Sequence, residues 1–294
     1  MTDRRDFLKL ASLSMLPLMD GMAAEAKQPK KYSGKVMVIT GATSGIGEAT
    51  ARAFADQGAD VYFCGRRKNL GEQVESSIKK KGGQAHYIQT DVRDEKQVDA
   101  FFSQIFKKTK KIDFAFLNAG IAPLPTPLHK TSTHDMQDIM NTNFYGVVYS
   151  MRKVLPSMME QKSGVILISS SMGVRRVINW ESIYSGSKMA LNALIQHGAQ
   201  EYRKYNIRCV GLEPVGVRTP MLERHAQFLK LPIEKLGNPA TGRLIEPSEI
   251  ADLVLNLCEG DNCRLINGMS LDLSEGGSNE LIFFTKKSPS KTTS

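Results

Sequence analysis

The sequence is poor in cysteine, has one tryptophan, and lacks any apolar run long enough to anchor a mature protein in a membrane. Its four cysteines show no metal-ligand spacing, so no metal site is expected. Cys64 and Cys209 lie in apolar segments typical of buried thiols. The formal net charge is +9, but much of the basic excess lies at the chain ends. That distribution does not form a basic stripe, so we expect no nucleic-acid partner.

The remaining composition is that of an ordinary globular protein. Hydrophobic residues make up 41% and charged residues 23% of the 294 positions. This length suits one large α/β domain or two small ones.

The N-terminal segment has the three parts of a cleavable export signal. A charged start with Arg4 and Arg5 is followed by an apolar stretch and by a small-residue site ending at Ala26. The paired arginines resemble a twin-arginine signal, which exports folded proteins. We predict a signal segment over 1–26, a polar linker over 27–34, a periplasmic location and the export machinery as a partner. The alternative is an amphipathic N-terminal helix on a cytoplasmic protein.

Beyond the linker, apolar runs alternate with amphipathic segments, which predicts a doubly wound α/β domain with a parallel sheet over residues 35–278. A basic polar tail follows over 279–294. Pro156 predicts a kink or break in its helix, and 222–240 has the length of a lid. The predicted strands are 36–39, 60–64, 85–90, 114–117, 165–168, 207–212 and 269–273; the helices are 48–55, 68–81, 96–108, 133–161, and two that begin at 184 and 247.

A glycine-rich turn joins the first strand to the first helix. Gly41 allows the turn, Gly45 leaves the backbone bare, and Gly47 lets the helix pack close to the strand. This strand–turn–helix arrangement directs backbone N–H groups at a phosphate. It indicates a dinucleotide site, although three glycines alone also fit a turn without a ligand.

The end of the second strand bears on the choice of cofactor. An acid there would accept a hydrogen bond from the ribose of NAD, but the chain reads Gly65, Arg66, Arg67. Guanidinium groups suit the 2′-phosphate of NADP. We therefore predict NADP(H) rather than NAD(H), the alternative being a solvated basic loop.

A tyrosine and a lysine four residues apart indicate acid–base chemistry. Tyr184 and Lys188 share one face of a helix. Free tyrosine has a pKa of about 10, and a nearby ammonium group favours the phenolate. A serine at the end of the fifth strand, within Ser169–Ser171, could bind a substrate oxygen. Alone, the pair also fits an ordinary amphipathic helix.

Together and in this order, these features resemble the short-chain dehydrogenase/reductase family over about residues 33–277. The resemblance implies a single Rossmann-like domain with a seven-stranded parallel sheet and helices on both faces. It also implies hydride transfer between a nicotinamide cofactor and a carbonyl or alcohol. The implied cofactor-binding residues are Thr40, Gly41, Thr43, Ser44, Gly45, Ile46, Gly47, Arg66, Arg67, Asp91, Val92, Asn118, Ala119, Gly120, Tyr184, Lys188, Pro214, Val217 and Thr219. Asp91 could hold the adenine edge of the cofactor or could instead cap the next helix.

The implied catalytic residues are Asn143, Ser170, Tyr184 and Lys188. Tyr184 is the acid/base, and Lys188 binds the nicotinamide ribose and lowers the pKa of the tyrosine. The serine orients the carbonyl. Asn143 holds a water that links Lys188 to solvent.

The chain departs from the family pattern in two places. Gly173 places the catalytic serine at Ser170, whereas the usual spacing back from Tyr184 gives Ser171; we choose Ser170, because strand ends vary less than loops. After the sixth strand, valine replaces the usual glycine behind Pro214, so the nicotinamide loop could sit differently. Thr219 still matches the residue that reaches the carboxamide.

These observations predict an NADP(H)-dependent oxidoreductase of a small carbonyl or alcohol, forming a homodimer or homotetramer. One alternative is a 3-oxoacyl-thioester reductase whose Arg175 and Arg176 meet an acidic carrier, although these arginines also fit a solvated loop. Another is a nucleotide-binding module without turnover. Cys258 and Cys263 could form a disulfide after export or stay as two thiols.

Overall fold

The computed structural model describes residues 30–238 and 241–275, without the side chains of 261–263. The strands are β1 Val36–Thr40, β2 Asp60–Gly65, β3 Gln84–Gln89, β4 Phe114–Leu117, β5 Gly164–Ser169, β6 Ile207–Glu213 and β7 Ser270–Asp272. The helices are α1 Gly45–Asp56, α2 Lys68–Lys80, α3 Glu95–Phe106, α4 Thr133–Met140, α5 Gly146–Gln161, α6 Ser182–Tyr202, α7 Pro220–Leu229 and α8 Pro247–Cys258.

All strand pairs are parallel, and the sheet order is β3-β2-β1-β4-β5-β6-β7. Alternate residues of the buried strand β1 face opposite sides of this sheet. Met37 belongs to a core cluster with Phe54 of α1, whereas Val38 belongs to a second cluster with Val154 of α5. Helices thus cover both faces, which confirms the predicted doubly wound fold and explains why the strands are continuously apolar.

The strand order reverses between β1 and β4, which lie side by side at the centre of the sheet. Ligands of open α/β sheets bind in the crevice outside the carboxyl ends of the strands at such a switch point. The glycine turn after β1 and the segment that begins with Asn118 after β4 both start there.

The helix predicted over 133–161 is two helices separated by a π turn at Asn141–Tyr145. The interruption is at this turn and not at Pro156, since α5 continues past the proline to Gln161. Burial of Leu155 and Met158 on either side of the proline holds this part of the helix against the sheet. The predicted break at Pro156 is therefore wrong, and the alternative of a kink there stays a prediction. Part of the 222–240 segment is also helical, because α7 extends to Leu229.

The folded unit begins earlier than residue 35. Tyr32 is only 4% exposed, and its ring centroid lies 5.0 Å from that of Phe54 and 5.5 Å from that of Phe114. Its hydroxyl donates a hydrogen bond to the carbonyl oxygen of Leu255 at 2.6 Å. The apolar ring makes this residue part of the core, so the linker predicted over 27–34 is corrected at its C-terminal end.

Several predictions fall outside the described residues: the signal segment, the first residues of the linker and the C-terminal tail. Across 30–238 and 241–275, none of the helices combines the length and apolarity needed to cross a bilayer. In the same ranges, no group of three or more His, Cys, Asp or Glu side chains is arranged to hold a metal ion.

Candidate active site

The glycine turn is tied to the end of β4 by hydrogen bonds. The Oγ1 atom of Thr40 accepts from the backbone N–H groups of Asn118 and Ala119, both at 3.1 Å. The side-chain amide of Asn118 donates back to the carbonyl oxygen of Gly41 at 3.1 Å. Thr40 therefore supports the crevice from behind its wall. Asn118, which lines the crevice, fixes the glycine turn to the end of β4.

Two glycines of this turn are required by close approach. Gly41 has a φ of +72°, and a Cβ atom there would lie 2.6 Å from the Cα of Ala119. A Cβ on Gly47 would lie 2.5 Å from the carbonyl oxygen of Gly41. A side chain at either position would displace backbone, so the turn can form only with glycine.

The turn leads directly into α1, whose first residue is Gly45 with a φ of +59°. The first N–H groups of a helix have no intrahelical partner and bind anions. Thr219, which caps α7, packs against Gly45. Its methyl group would lie 3.1 Å from a Cβ atom built on this glycine. A glycine turn without side chains, next to the N-terminus of a helix, fits the pyrophosphate of a dinucleotide.

The arginines after β2 lie at the edge of this turn. The guanidinium of Arg67 donates to Thr43 Oγ1 at 2.9 Å and to Ser44 Oγ at 2.5 Å. Burial, followed by the charges of Arg224 and Arg66, lowers the pKa of Arg67. Three cations thus lie near one another beside the glycine turn, and one of them, Arg224 from α7, was not predicted.

Asp91 has a different partner from either one expected. Its carboxylate accepts two hydrogen bonds from Arg93 Nε, each of 3.0 Å, and Arg93 in turn donates to Asp138 at 2.6 Å. Helix α3 is capped by Asp94, not by Asp91. The capping alternative is therefore wrong, and contact of Asp91 with the adenine ring stays a prediction. The neighbouring residue Val92 lines the same wall.

Asn143 lies in the π turn and is completely buried. Its amide oxygen accepts from the N–H of Ile121 at 2.8 Å. Its amide nitrogen donates to the carbonyl oxygen of Ile121 at 2.9 Å and to Ser187 Oγ at 3.0 Å. Asn143 therefore joins the loop after β4 to α6. A water held by Asn143 stays a prediction.

Tyr184 and Lys188 occupy successive turns of α6 in the cavity wall. The Nζ of Lys188 lies 5.9 Å from the centre of the Tyr184 ring and donates to the carbonyl oxygen of Ser169 at 2.7 Å. Burial lowers the pKa of Lys188 to about 8. Burial also raises the pKa of Tyr184 to about 12; the Ser171 hydroxyl lowers it and the Glu181 charge raises it. The phenol is therefore protonated near neutrality in the protein alone, and the lysine does not offset its burial.

The two candidate serines point in different directions. Ser170 Oγ lies 3.5 Å from the backbone carbonyl oxygen of Lys188, whereas the hydroxyl of Ser171 faces Tyr184. Ser171 Oγ also accepts the N–H of Gly173 at 3.1 Å, which holds the hydroxyl in place. The structure thus places Ser171, not Ser170, beside the predicted acid/base. The catalytic role of Ser170 stays a prediction, but the hydroxyl that the structure brings to Tyr184 is that of Ser171.

The loop after β6 explains why glycine occurs at position 216 and not directly after Pro214. The carbonyl oxygen of Pro214 accepts from the N–H of Met172 at 3.1 Å, and Val217 bridges to Ile245. A Cβ on Gly216 would lie only 2.0 Å from the carbonyl oxygen of Leu236. In this chain, glycine is required at 216, where the backbone meets the segment after α7.

These elements enclose one cavity of about 1170 Å³. Of the predicted site residues, Thr40, Gly47 and Asn143 lie behind its wall, and the others line it: Gly41, Thr43, Ser44, Gly45, Ile46, Arg66, Arg67, Asp91, Val92, Asn118, Ala119, Gly120, Ser170, Tyr184, Lys188, Pro214, Val217 and Thr219. Trp180 and His225 also line it. Sequence reasoning missed Glu181 as a lining residue; its position one helical turn before Tyr184 was the available signal.

The structure also shows the surroundings of the other arginines and cysteines named in the sequence analysis. Arg175 forms an ion pair with the buried Glu213 although its side chain is 44% exposed, and Arg176 is 4% exposed, so the solvated-loop alternative fails for Arg176. Cys64 and Cys209 are fully buried as predicted, and burial raises the pKa of each thiol to about 12. The predicted disulfide involves Cys263, whose side chain lies outside the described part of the chain.

Comparison with known proteins agrees with this site. Residues 35–229 match the family model of the short chain dehydrogenases. The chain therefore belongs to the short-chain dehydrogenase/reductase family, and it is an NAD(P)-dependent oxidoreductase that acts on CH–OH groups. It is 29% identical to levodione reductase of Leifsonia aquatica over 265 residues, which are 87% of this chain and 99% of that protein.

Two solved structures are similar over most of their length. The 3-ketoacyl-(acyl-carrier-protein) reductase from Brucella melitensis complexed with NADH has a TM-score of 0.76 and 31% identity, covering 84% of this chain and 99% of that chain. A variant of actinorhodin polyketide ketoreductase with NADPH has a TM-score of 0.76 and 25% identity, covering 84% and 98%. One neighbour thus carries NADH and the other NADPH.

Proposed function

We propose that this protein is an NADP(H)-dependent oxidoreductase that interconverts a small carbonyl compound and its alcohol, with Tyr184 as the acid/base. The observation that carries the cofactor preference is the position of Arg67. Its guanidinium bonds to Thr43 and Ser44 of the glycine turn, with Arg66 and Arg224 close enough to perturb it. Cations that repel one another favour an anion among them, and a 2′-phosphate supplies one.

A bound nicotinamide supplies or accepts the hydride. The chain's own contribution is to hold the substrate oxygen and to move its proton. Ser171 presents a hydroxyl beside the phenol of Tyr184. Because burial keeps that phenol protonated near neutrality, Tyr184 can donate its proton as negative charge develops on a carbonyl oxygen. Lys188, buried and one turn away, would hold the ribose hydroxyls and favour the phenolate in the reverse direction.

The cofactor proposal is tested by kinetics with one carbonyl substrate and each cofactor. We expect kcat/KM to be at least about tenfold higher with NADPH, the minimum expected from a charge-assisted contact. Equal values with NADPH and NADH would reject the preference and leave the family activity intact.

The carrier-bound substrate is the weaker alternative. Arg175 is paired with Glu213, and Arg176 is buried, so neither offers a free surface charge to an acidic carrier. Similarity to a ketoacyl carrier-protein reductase is what supports a 3-oxoacyl thioester. A thioester reduced faster than every free ketone tested would favour it.

We further propose that the protein is exported to the periplasm through its N-terminal arginine pair and works as a homodimer or homotetramer. The motivation for export is the order of charged, apolar and small-residue parts in residues 1–26. Cell fractionation and light scattering test the two statements separately.

A further inference from the structure

A buried carboxyl group faces the substrate side of the cavity. The Glu181 side chain is 8% exposed and lines the cavity one helical turn before Tyr184. Across 30–238 and 241–275, no hydrogen bond reaches its carboxyl oxygens, and the Nδ1 atom of His225 lies 4.0 Å from Oε1. These oxygens face the open cavity, since neither is among the fully buried polar atoms that lack a partner. A ligand group in the cavity can therefore reach them.

The orientation of His225 is set by its other nitrogen. Nε2 lies 2.9 Å from the carbonyl oxygen of Pro123, which can only accept, so Nε2 carries the hydrogen. Burial, followed by the charge of Arg224, lowers the pKa of this imidazole and favours the neutral form. Nδ1 of His225 is then an acceptor that lies 4.0 Å from Oε1 of Glu181.

These two groups can share one polar atom of a ligand. A separation of 4.0 Å is too long for a direct hydrogen bond, but an oxygen placed beside the pair, about 2.8 Å from each atom, could bond to both. The surrounding lining includes the apolar side chains of Ile178, Met221 and Leu222. The same lining also carries Arg176, Asn179 and Arg224, and the apolar wall beside the Glu181–His225 pair suits a ligand that is apolar apart from its polar groups.

We propose that Glu181 and His225 form a subsite for a second hydroxyl group of the substrate, in the same cavity as the reacting oxygen at Tyr184. This inference rests on the proposed carbonyl–alcohol activity. The substrates are then hydroxy-ketones and the corresponding diols. The hydroxyl accepts a hydrogen bond from protonated Glu181 and donates one to Nδ1 of His225, so that every hydrogen-bonding group is paired.

A hydroxyl fits this subsite better than an ammonium group. Burial raises the pKa of Glu181 to about 7, so the carboxyl is largely protonated in mildly acidic solution and can donate. An ammonium would require the ionised carboxyl and would lie in the same cavity as Lys188 and Arg224. Like charges in a buried site oppose its binding.

The test uses the holoenzyme with its preferred cofactor and three matched ketones: cyclohexanone, 4-hydroxycyclohexanone and 4-aminocyclohexanone. We expect kcat/KM to be about tenfold higher for the hydroxy-ketone than for the plain ketone, the change that one or two hydrogen bonds produce. Glu181→Leu and His225→Leu should each reduce this ratio towards one, while Glu181→Gln should retain most of it. Glu223→Gln, at an exposed position of α7, is the control and should keep the wild-type ratio.

The outcomes separate the subsite from the proposed activity. Equal efficiency on the first two ketones, a preference for the amine, or an unchanged ratio in both leucine variants overturns the subsite and leaves the activity standing. Failure to reduce any of the three counts against the activity on such ketones. The subsite is then judged by calorimetry on the holoenzyme: tighter binding of 1,4-cyclohexanediol than of cyclohexanol, lost in Glu181→Leu, supports it, and equal binding overturns it. If one leucine variant does not fold, the other decides.

Discussion

The hydroxyl of Ser171 faces the phenol of Tyr184, whereas that of Ser170 is turned towards the backbone of Lys188. Both serines line the cavity and follow the same strand, so only their direction distinguishes them. A group that binds the substrate oxygen must lie beside the group that transfers its proton. We therefore propose that Ser171 makes the substrate contact.

Replacing each serine by alanine tests this assignment. Ser171→Ala should lower kcat by about 10²-fold or more, the effect of losing a donor to a developing negative charge. Ser170→Ala is the matched control and should lower kcat far less, because its hydroxyl makes a single long contact to backbone. Steady-state kinetics on both variants, with cofactor affinity measured separately, decides the matter; the reverse order of effects would restore Ser170.

Removal of the Tyr184 hydroxyl should abolish turnover without loss of cofactor. Tyr184→Phe deletes the proton donor but leaves the ring in the wall, so we expect kcat to fall by roughly 10²–10⁴-fold, the usual contribution of a general acid. Titration of protein fluorescence with NADPH should give an unchanged Kd. A variant with nearly wild-type kcat would show that another group transfers the proton.

Charge reversal at the arginine cluster should change the cofactor preference. Arg67→Asp removes the cation on the glycine turn and introduces an acceptor for ribose hydroxyls, so kcat/KM should fall for NADPH and rise for NADH. Arg224→Ala should weaken NADPH alone, by up to about tenfold, if α7 contributes to phosphate binding. Arg203→Ala, outside the cavity, serves as the control. An unaltered ratio in Arg67→Asp would contradict the role of this cluster.

Glu181 should make stability depend on pH. Its pKa is raised from 4.5 to about 7 by burial, so between these values the native state keeps a proton that the unfolded state has released. The free energy of unfolding therefore falls as the pH rises through this window, by on the order of 3 kcal/mol at full ionisation. Glu181→Gln lacks the ionisation, so its melting temperature should exceed that of the wild type increasingly from pH 5 to pH 8. A difference that does not change with pH would contradict this.

Substitution of both N-terminal arginines should block export. With Arg4→Lys and Arg5→Lys, the uncleaved precursor should stay in the cytoplasm, because the paired arginines carry the resemblance to a twin-arginine signal. Fractionation and N-terminal sequencing measure this, and Lys9→Arg is a control that preserves the pair. Wild-type protein recovered only from the cytoplasm with residues 1–26 attached would overturn the proposed location and leave the enzyme proposal unaffected.

The sequence alone was sufficient for the sheet, the glycine turn and the Tyr184–Lys188 pair. These features depend on local regularities: apolar runs predict buried strands, and four-residue spacing places two side chains on one helical face. Gly41 and Gly47 were interpretable because close backbone approach leaves room for no other residue.

What only the tertiary structure decided concerns contacts between distant segments and the direction of side chains in turns. Tyr32 joins the core because its ring meets Phe54 and Phe114, which no local pattern reveals. The π turn at Asn143 and the continuity of α5 past Pro156 depend on packing, which overrides the propensity of one residue. Ser170 and Ser171 are neighbours in the chain, but their hydroxyls point in different directions. Glu181 lies near His225 only because α7 folds over the cavity. Propensity acts within a few residues, whereas these contacts require the whole chain to be folded.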